Sequence, residues 1–182
     1  MNVNIPEKIF LTNGVGTHKE RLASFELALR DAGIAPCNLV YVSSIVHPDC
    51  NILPRNEGLK LLKPGQVIFC VMSRIDTNEP NRLIAAAIGM ALPYDRTLYG
   101  YLSEHTSHGQ TQEKAGDYAE DLAASMLAST LGVPFDVDNA WDTREEIWNI
   151  SGKRVTTRNI VQSAEANKDG LWTTAVATAI MI

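Results

Sequence analysis

Along this chain, stretches in which apolar residues recur every three or four positions alternate with short, nearly continuous apolar runs. Each pattern predicts its own element. KIFLTN (8–13) predicts a first strand, followed by a glycine-containing loop, GVGTHKER. Thr17 and Glu20 have capping-box spacing and predict a helix start. Leu22, Phe25, Leu29 and Ala32 continue it as one apolar stripe that Gly33 ends. NLVYVSSIV (38–46) reads as a strand, HPDCNILPRNEG as a loop with two prolines, and QVIFCVMSRI (66–75) as an apolar strand. NEPNRLIAAAIGMALP predicts a helix that is apolar nearly all round, with Pro80 in its first turn and Pro93 just past its end. TLYGYLSEHT (97–106) predicts a strand, and 112–131 the longest helix, with Ala115, Tyr118, Ala119, Leu122 and Met126 on one face. Residues 133–152 read as an irregular connector with a short helix near Glu145. RVTTRNIVQSAEA and LWTTAVATAIMI predict two strands joined as a hairpin by NKDG. The last alternates Trp172, Val176 and Ile180 with Thr173, Ala175 and Ala177. No strict βαβ rhythm runs through the series. The expectation is a single α+β domain over 1–182, with helices covering antiparallel or mixed sheets.

Composition narrows the partners. The chain has 182 residues, 45% hydrophobic and 20% charged, enough for one sizeable core. A net charge of −5 argues against a general nucleic-acid-binding face. No run approaches a membrane span, and MNVNIPEKIF lacks the basic and apolar regions of a secretory signal. Cys37, Cys50 and Cys70, odd in number and widely spaced, fit reduced thiols. A cytoplasmic protein with no membrane partner is expected.

The chemistry-bearing motifs are few. Walker, G-x-G-x-x-G and G-x-S-x-G patterns are missing. EHTSH gathers Glu104, His105 and His108, but the spacing and the predicted strand are wrong for a helical zinc site. His47 and Cys50 supply only two ligands. No metal is expected, and no lysine stands in a recognisable pyridoxal phosphate context. Amine chemistry would therefore need another electrophile.

Two adjacent hydroxyls, Ser43 and Ser44, interrupt the apolar strand 38–46 and precede Pro48. In one reading they are hydrogen-bonded structural residues. In the other, the Ser44 hydroxyl adds to the Ser43 carbonyl and moves the acyl group from nitrogen to oxygen. β-Elimination of that ester cuts the chain after Ser43 and leaves dehydroalanine at position 44. Hydration and loss of ammonia then give a pyruvoyl group, a ketone that condenses with amines and accepts electrons.

The surrounding blocks favour the second reading. FELALRDAGIAPCNLVYVSSIVHP resembles the pyruvoyl-dependent arginine decarboxylases, in which an AGI-like turn and NL precede a strand ending in a Ser-Ser or Thr-Ser cleavage pair. RLIAAAIGMALPYDRTLYGYLSEH, QEKAGDYAEDLAASM and NIVQSAEANKDGLWTTAVATAIMI resemble three further blocks of that family. The resemblance implies a four-layer αββα sandwich, self-cleaved into a small β chain (1–43) and a larger α chain (44–182), and assembled as trimers of αβ units or pairs of trimers. It implies decarboxylation of arginine to agmatine and CO₂ through an imine with a pyruvoyl group derived from Ser44, without pyridoxal phosphate or metal. Ser43 falls on the new C-terminus and Glu104 on the proton donor. Asn38 falls on an asparagine near the cleavage site, Glu26 on an acidic residue near the substrate guanidinium. Asn38 reads equally as a turn residue opening the strand, and Glu26 as a solvent-facing charge beside Phe25. Two departures stand out: His47 replaces the first proline of the usual pair after the serines, and Glu26 is longer than the expected aspartate. The rival functions are a pyruvoyl decarboxylase of another amino acid, an unprocessed structural or interaction homologue, and, last, a serine hydrolase using Ser44.

Overall fold

The structure, a computed structural model, describes residues 5–132 and 155–182. The expected connector at 133–152, with its short helix, lies outside the described residues. In chain order the elements are β1 (Lys8–His18), α1 (Arg21–Asp31), β2 (Asn38–Tyr41), β3 (Ile45–Val46), β4 (Asn51–Ile52), α2 (Arg55–Leu61), β5 (Val67–Thr77), β6 (Leu83–Pro93), β7 (Gly100–His108), α3 (Gln112–Thr130), β8 (Val155–Glu165) and β9 (Trp172–Met181).

The strands form two sheets. One is ordered β2-β5-β9-β1-β4 and is mixed; the other, β3-β7-β6-β8, is antiparallel. α1 covers the first sheet along β1 and β9, and α3 covers the second along β6, β7 and β8. The uncovered faces meet each other, so the layers run helix, sheet, sheet, helix. The expected α+β class holds. Ile9, Val71, Ile75, Ile84, Ile88, Met90 and Leu102 fill the space between the sheets. Phe10, Ala28, Ile34, Ile68, Val176 and Ile180 fill the space under α1.

Several elements differ from the sequence expectation. The helix expected over 78–93 is strand β6. Its Ala-Ile composition hides a period of two: Ile84, Ala86, Ile88 and Met90 face the first sheet, while Ala85, Ala87 and Ala91 face α3. Both faces are buried, so the strand lacks the apolar-polar alternation that marks a half-buried one. Gly89 belongs to the small face, where a Cβ would overlap the Ala119 carbonyl of α3. β1 likewise runs straight through the expected loop, because Gly14 and Gly16 let α1 lie against the strand. A Cβ on either would overlap the Ala28 or Ser24 carbonyl. α1 therefore starts at Arg21 after Glu20, with no side-chain cap, and Thr17 remains in β1. It buries Ser24 and Ala28 and leaves Leu22 exposed.

α3 has its expected span, but its buried face is Ala115, Gly116, Ala119, Ala123, Ala124, Leu127 and Ala128, with Tyr118 outside. The expected terminal hairpin does not form. β8 and β9 lie in different sheets, and NKDG carries the chain from one to the other. The expected strand 38–46 is likewise split, β2 joining the first sheet and β3 the second.

Candidate active site

That split puts Ser43 and Ser44 where the chain crosses between the sheets. On the way in, Val42 N–H donates to the Cys70 carbonyl (3.0 Å), extending β2 beside β5. On the way out, Leu102 N–H of β7 donates to the Ser44 carbonyl (2.8 Å), and Ile45 then faces Tyr101. Between these anchors Ile45 N–H donates to the Ser43 carbonyl (3.0 Å), closing a three-residue γ-turn centred on Ser44. Three backbone donors thus hold the turn, and among the described residues neither serine hydroxyl has a hydrogen-bond partner. Ser43 is exposed and Ser44 half-buried.

Glu104 lies on the strand that anchors this turn. It lies two residues beyond Leu102 on β7, about 7 Å along the strand. Alternation puts it on the face of Leu102, towards the first sheet, whereas Ser103 turns to α3 and donates to the Ala119 carbonyl. Burial raises the Glu104 carboxyl above the usual carboxylate range. Its charge also reaches across the gap between the sheets. It helps raise the Tyr41 phenol, after burial and Cys70, and adds to the burial that pushes the Cys70 thiol up to about 11. The structure therefore places Ser43 and Ser44 in one turn and Glu104 on the strand that anchors it. His105, adjacent in sequence, faces the other way, its Nε2 2.8 Å from Gln110 Oε1 and its ring 4.4 Å from that of Tyr118.

A recess of about 340 Å³ opens on the Ser43 side of the turn. Val42, Ile45, Phe69 and Met181 make its walls apolar, and His47 and Tyr99 bring polar groups to it. The His47 Nδ1 accepts from Asp49 N–H (3.3 Å), so the neutral ring carries its proton on Nε2. Among the described residues, no carboxylate lines this recess.

The other two sequence candidates lie apart from the turn. Asn38 opens β2 at the far end from Ser43, where its Nδ2 donates to the Gly65 carbonyl (3.0 Å). Glu26 is two residues from both Ser24 and Ala28, about 200° around α1 from each, and so points away from the sheets. Its Oε1 accepts from Arg30 Nε at 2.6 Å on a half-exposed surface. What sequence reading misses is the set of backbone donors, Ile45 and Leu102, because an amide carries no side-chain signature.

The fold is that of a small α+β protein with a serine turn between its two sheets and a carboxyl of raised pKa on the adjoining strand. The profile of the family "Pyruvoyl-dependent arginine decarboxylase (PvlArgDC)" matches residues 8–182. A protein of Chloroherpeton thalassium named "Probable pyruvoyl-dependent arginine decarboxylase" is 61% identical, the match covering 98% of each chain. The "Pyruvoyl-dependent arginine decarboxylase 2" of Methanosarcina mazei is 56% identical over 98% of this chain and 97% of its own. The "Pyruvoyl-dependent arginine decarboxylase" of Nitrosopumilus maritimus is 53% identical over the same shares. The chain belongs to the pyruvoyl-dependent arginine decarboxylase family.

Proposed function

We propose that this protein cuts itself between Ser43 and Ser44, carries the resulting pyruvoyl group at position 44, and decarboxylates arginine to agmatine and CO₂. The observation that carries the reading is the Ser44 hydroxyl, uncommitted to any described partner and one residue on from the Ser43 carbonyl, which already accepts a hydrogen bond. The products of the cut are a β chain of 1–43 and an α chain of 44–182, parts of one domain.

The pyruvoyl ketone supplies a site for the substrate amine and a sink for the electron pair released with CO₂. The residues of the chain do the rest. Leu102 N–H holds the carbonyl oxygen of residue 44, where negative charge collects as CO₂ leaves. Glu104, whose carboxyl partial burial shifts towards the protonated form, hands a proton to the substrate Cα. Neither pyridoxal phosphate nor a metal has a role in this scheme.

Selectivity rests at the far end of the substrate, since every amino acid presents the same amine. A guanidinium donates two parallel hydrogen bonds to a carboxylate, which an ammonium cannot match. Glu26 is the proposed carboxylate. Because it points away from its own sheets, it serves the turn of another copy, in keeping with a trimer of αβ units or a pair of trimers. The exposed Val40, Tyr41, Val42, Ile45 and Val67 form an apolar edge suited to such an assembly. Asn38 is assigned to processing with it. The thiols of Cys37, Cys50 and Cys70 are free, which suits the reducing cytoplasm.

The test is a mass spectrum under denaturing conditions, with borohydride or hydroxylamine trapping, beside kcat/KM for arginine, lysine and ornithine. Two chains cut at 43/44, a trapped carbonyl on the larger, and a wide preference for arginine are expected. A single whole chain sinks the enzyme reading. Equal use of lysine removes arginine alone. Light scattering that gives a monomer at micromolar concentration removes the trimer.

A further inference from the structure

We propose that Ile45 N–H is the oxyanion donor of the self-cleavage step, so that the turn holding Ser44 also supplies the group that activates its target; this rests on the self-processing reading above. In the β3–β7 register Ile45 faces Tyr101, and the ladder bond beside that pair runs from Leu102 N–H to the Ser44 carbonyl. In an antiparallel ladder this leaves Ile45 N–H on the opposite edge of its strand. There it donates to the Ser43 carbonyl at 3.0 Å. Asn81 is the only described non-glycine residue with positive φ, so Ser44 has negative φ and the γ-turn is of the common inverse kind.

The consequence is chemical. In the first step the Ser44 oxygen bonds to the Ser43 carbonyl carbon, and the carbonyl π pair moves onto the oxygen that Ile45 N–H already holds. The hydroxyl proton passes to the Ser44 nitrogen as the C–N bond breaks and the C=O re-forms, leaving an ester. The atoms balance with no co-reactant. A donor in place before the attack needs no reorganisation as charge develops. Leu102 N–H, on the next carbonyl, fixes that carbonyl against β7 and so anchors one side of the turn. Each hydrogen bond therefore has its own task, one on the carbonyl to be attacked and one on the carbonyl that stays.

Replacing the Ile45 amide by an ester, through incorporation of the α-hydroxy analogue of isoleucine, removes the N–H and keeps the side chain. Chain cutting, followed by mass, should slow about 10²-fold, the usual effect of losing one such donor. The control is the same exchange at Leu53, whose N–H donates to the Ile9 carbonyl at 2.8 Å away from the turn; it should cut at the wild-type rate. The uncleavable Ser44→Ala chain gives a second readout, in which the Ile45 amide proton should exchange slowly with solvent. An Ile45 ester cut as fast as wild type, equal slowing at Ile45 and Leu53, or an Ile45 proton in Ser44→Ala exchanging at the unstructured rate overturns the proposal alone. A wild-type chain that is never cut removes the self-processing reading and this proposal with it.

Discussion

Of the places where the described chain changes sheets, the first, at Ser43–Ser44, and the last, at Asn167–Gly170, are two crossings built by opposite rules. At the last, a side chain does the fastening. Asn167 Oδ1 accepts from Asp169 N–H (2.8 Å) and Leu171 N–H (3.4 Å), while its own N–H donates to Thr173 Oγ1. Gly170 takes the positive φ of 77° that the turn needs. At the first, the fastening is all backbone and the side chains are left over. Polar side chains at a turn usually satisfy the turn. Where two hydroxyls sit in a turn that does not use them, they are available for chemistry.

Mutations should separate the crossings. Ser44→Ala should leave the chain whole in a denaturing mass spectrum and abolish decarboxylation, because the turn keeps its three backbone bonds and loses only its nucleophile. Glu104→Gln should lower turnover by about 10²–10⁴-fold, with pyruvoyl content measured alongside to remove any effect on cutting. Wild-type kcat should fall as pH rises through the raised Glu104 pKa, and the glutamine variant should lack that limb. Asn167→Ala should cost about 0.5–1.5 kcal/mol by denaturant unfolding, its two exposed backbone N–H partners turning to water instead, yet still be cut at 43/44. Gly170→Ala should cost about 1–2 kcal/mol for forcing a Cβ into positive φ, again with normal cutting.

The smallest effect is on stability against pH. The folded chain keeps the Glu104 proton over a range where the unfolded chain has released it. Stability therefore declines as pH climbs from the ordinary carboxylate value to the raised one. Glu104→Gln, which does not titrate, should show a shallower decline in thermal midpoints across that window.

Much of this is legible in the order of residues. The α+β class, the spans of β5, β7, α3 and β9, and the alternation in β9 follow from periodicity: Val176 and Ile180 do face α1, and Ala175 and Ala177 the second sheet. The misreadings share one cause. Where a helix lies close on a strand, the strand must be small on that face, and glycine and alanine erase the local signal. Gly14 and Gly16 read as a loop, and Ala85 to Ala91 as a helix, although each run is the groove a helix needs. Asp-Gly in NKDG signals a turn correctly but not which sheet the returning strand joins, since that is decided by what each face buries. Ser44 and Glu104 are found through the family resemblance. The β3–β7 register that sets Ser44 against Leu102, two residues before Glu104, is a long-range pairing with no local mark.

The strand order of the first sheet has a further consequence for a chain cut at 43/44. Of its five strands, β1 and β2 precede the cut, while β4, β5 and β9 follow it. β1 lies between β9 and β4, and β2 against β5, so the short fragment is woven in rather than laid on. The cut would release nothing while the sheet stands, but it would change the molecularity of folding. The uncut precursor finds this sheet as one chain at a rate independent of concentration. The mature form, once denatured, must find it as a meeting of two chains, each lacking strands that the other holds. Its native state is then inherited from the precursor, and its persistence depends on how slowly it unfolds as much as on how stable it is.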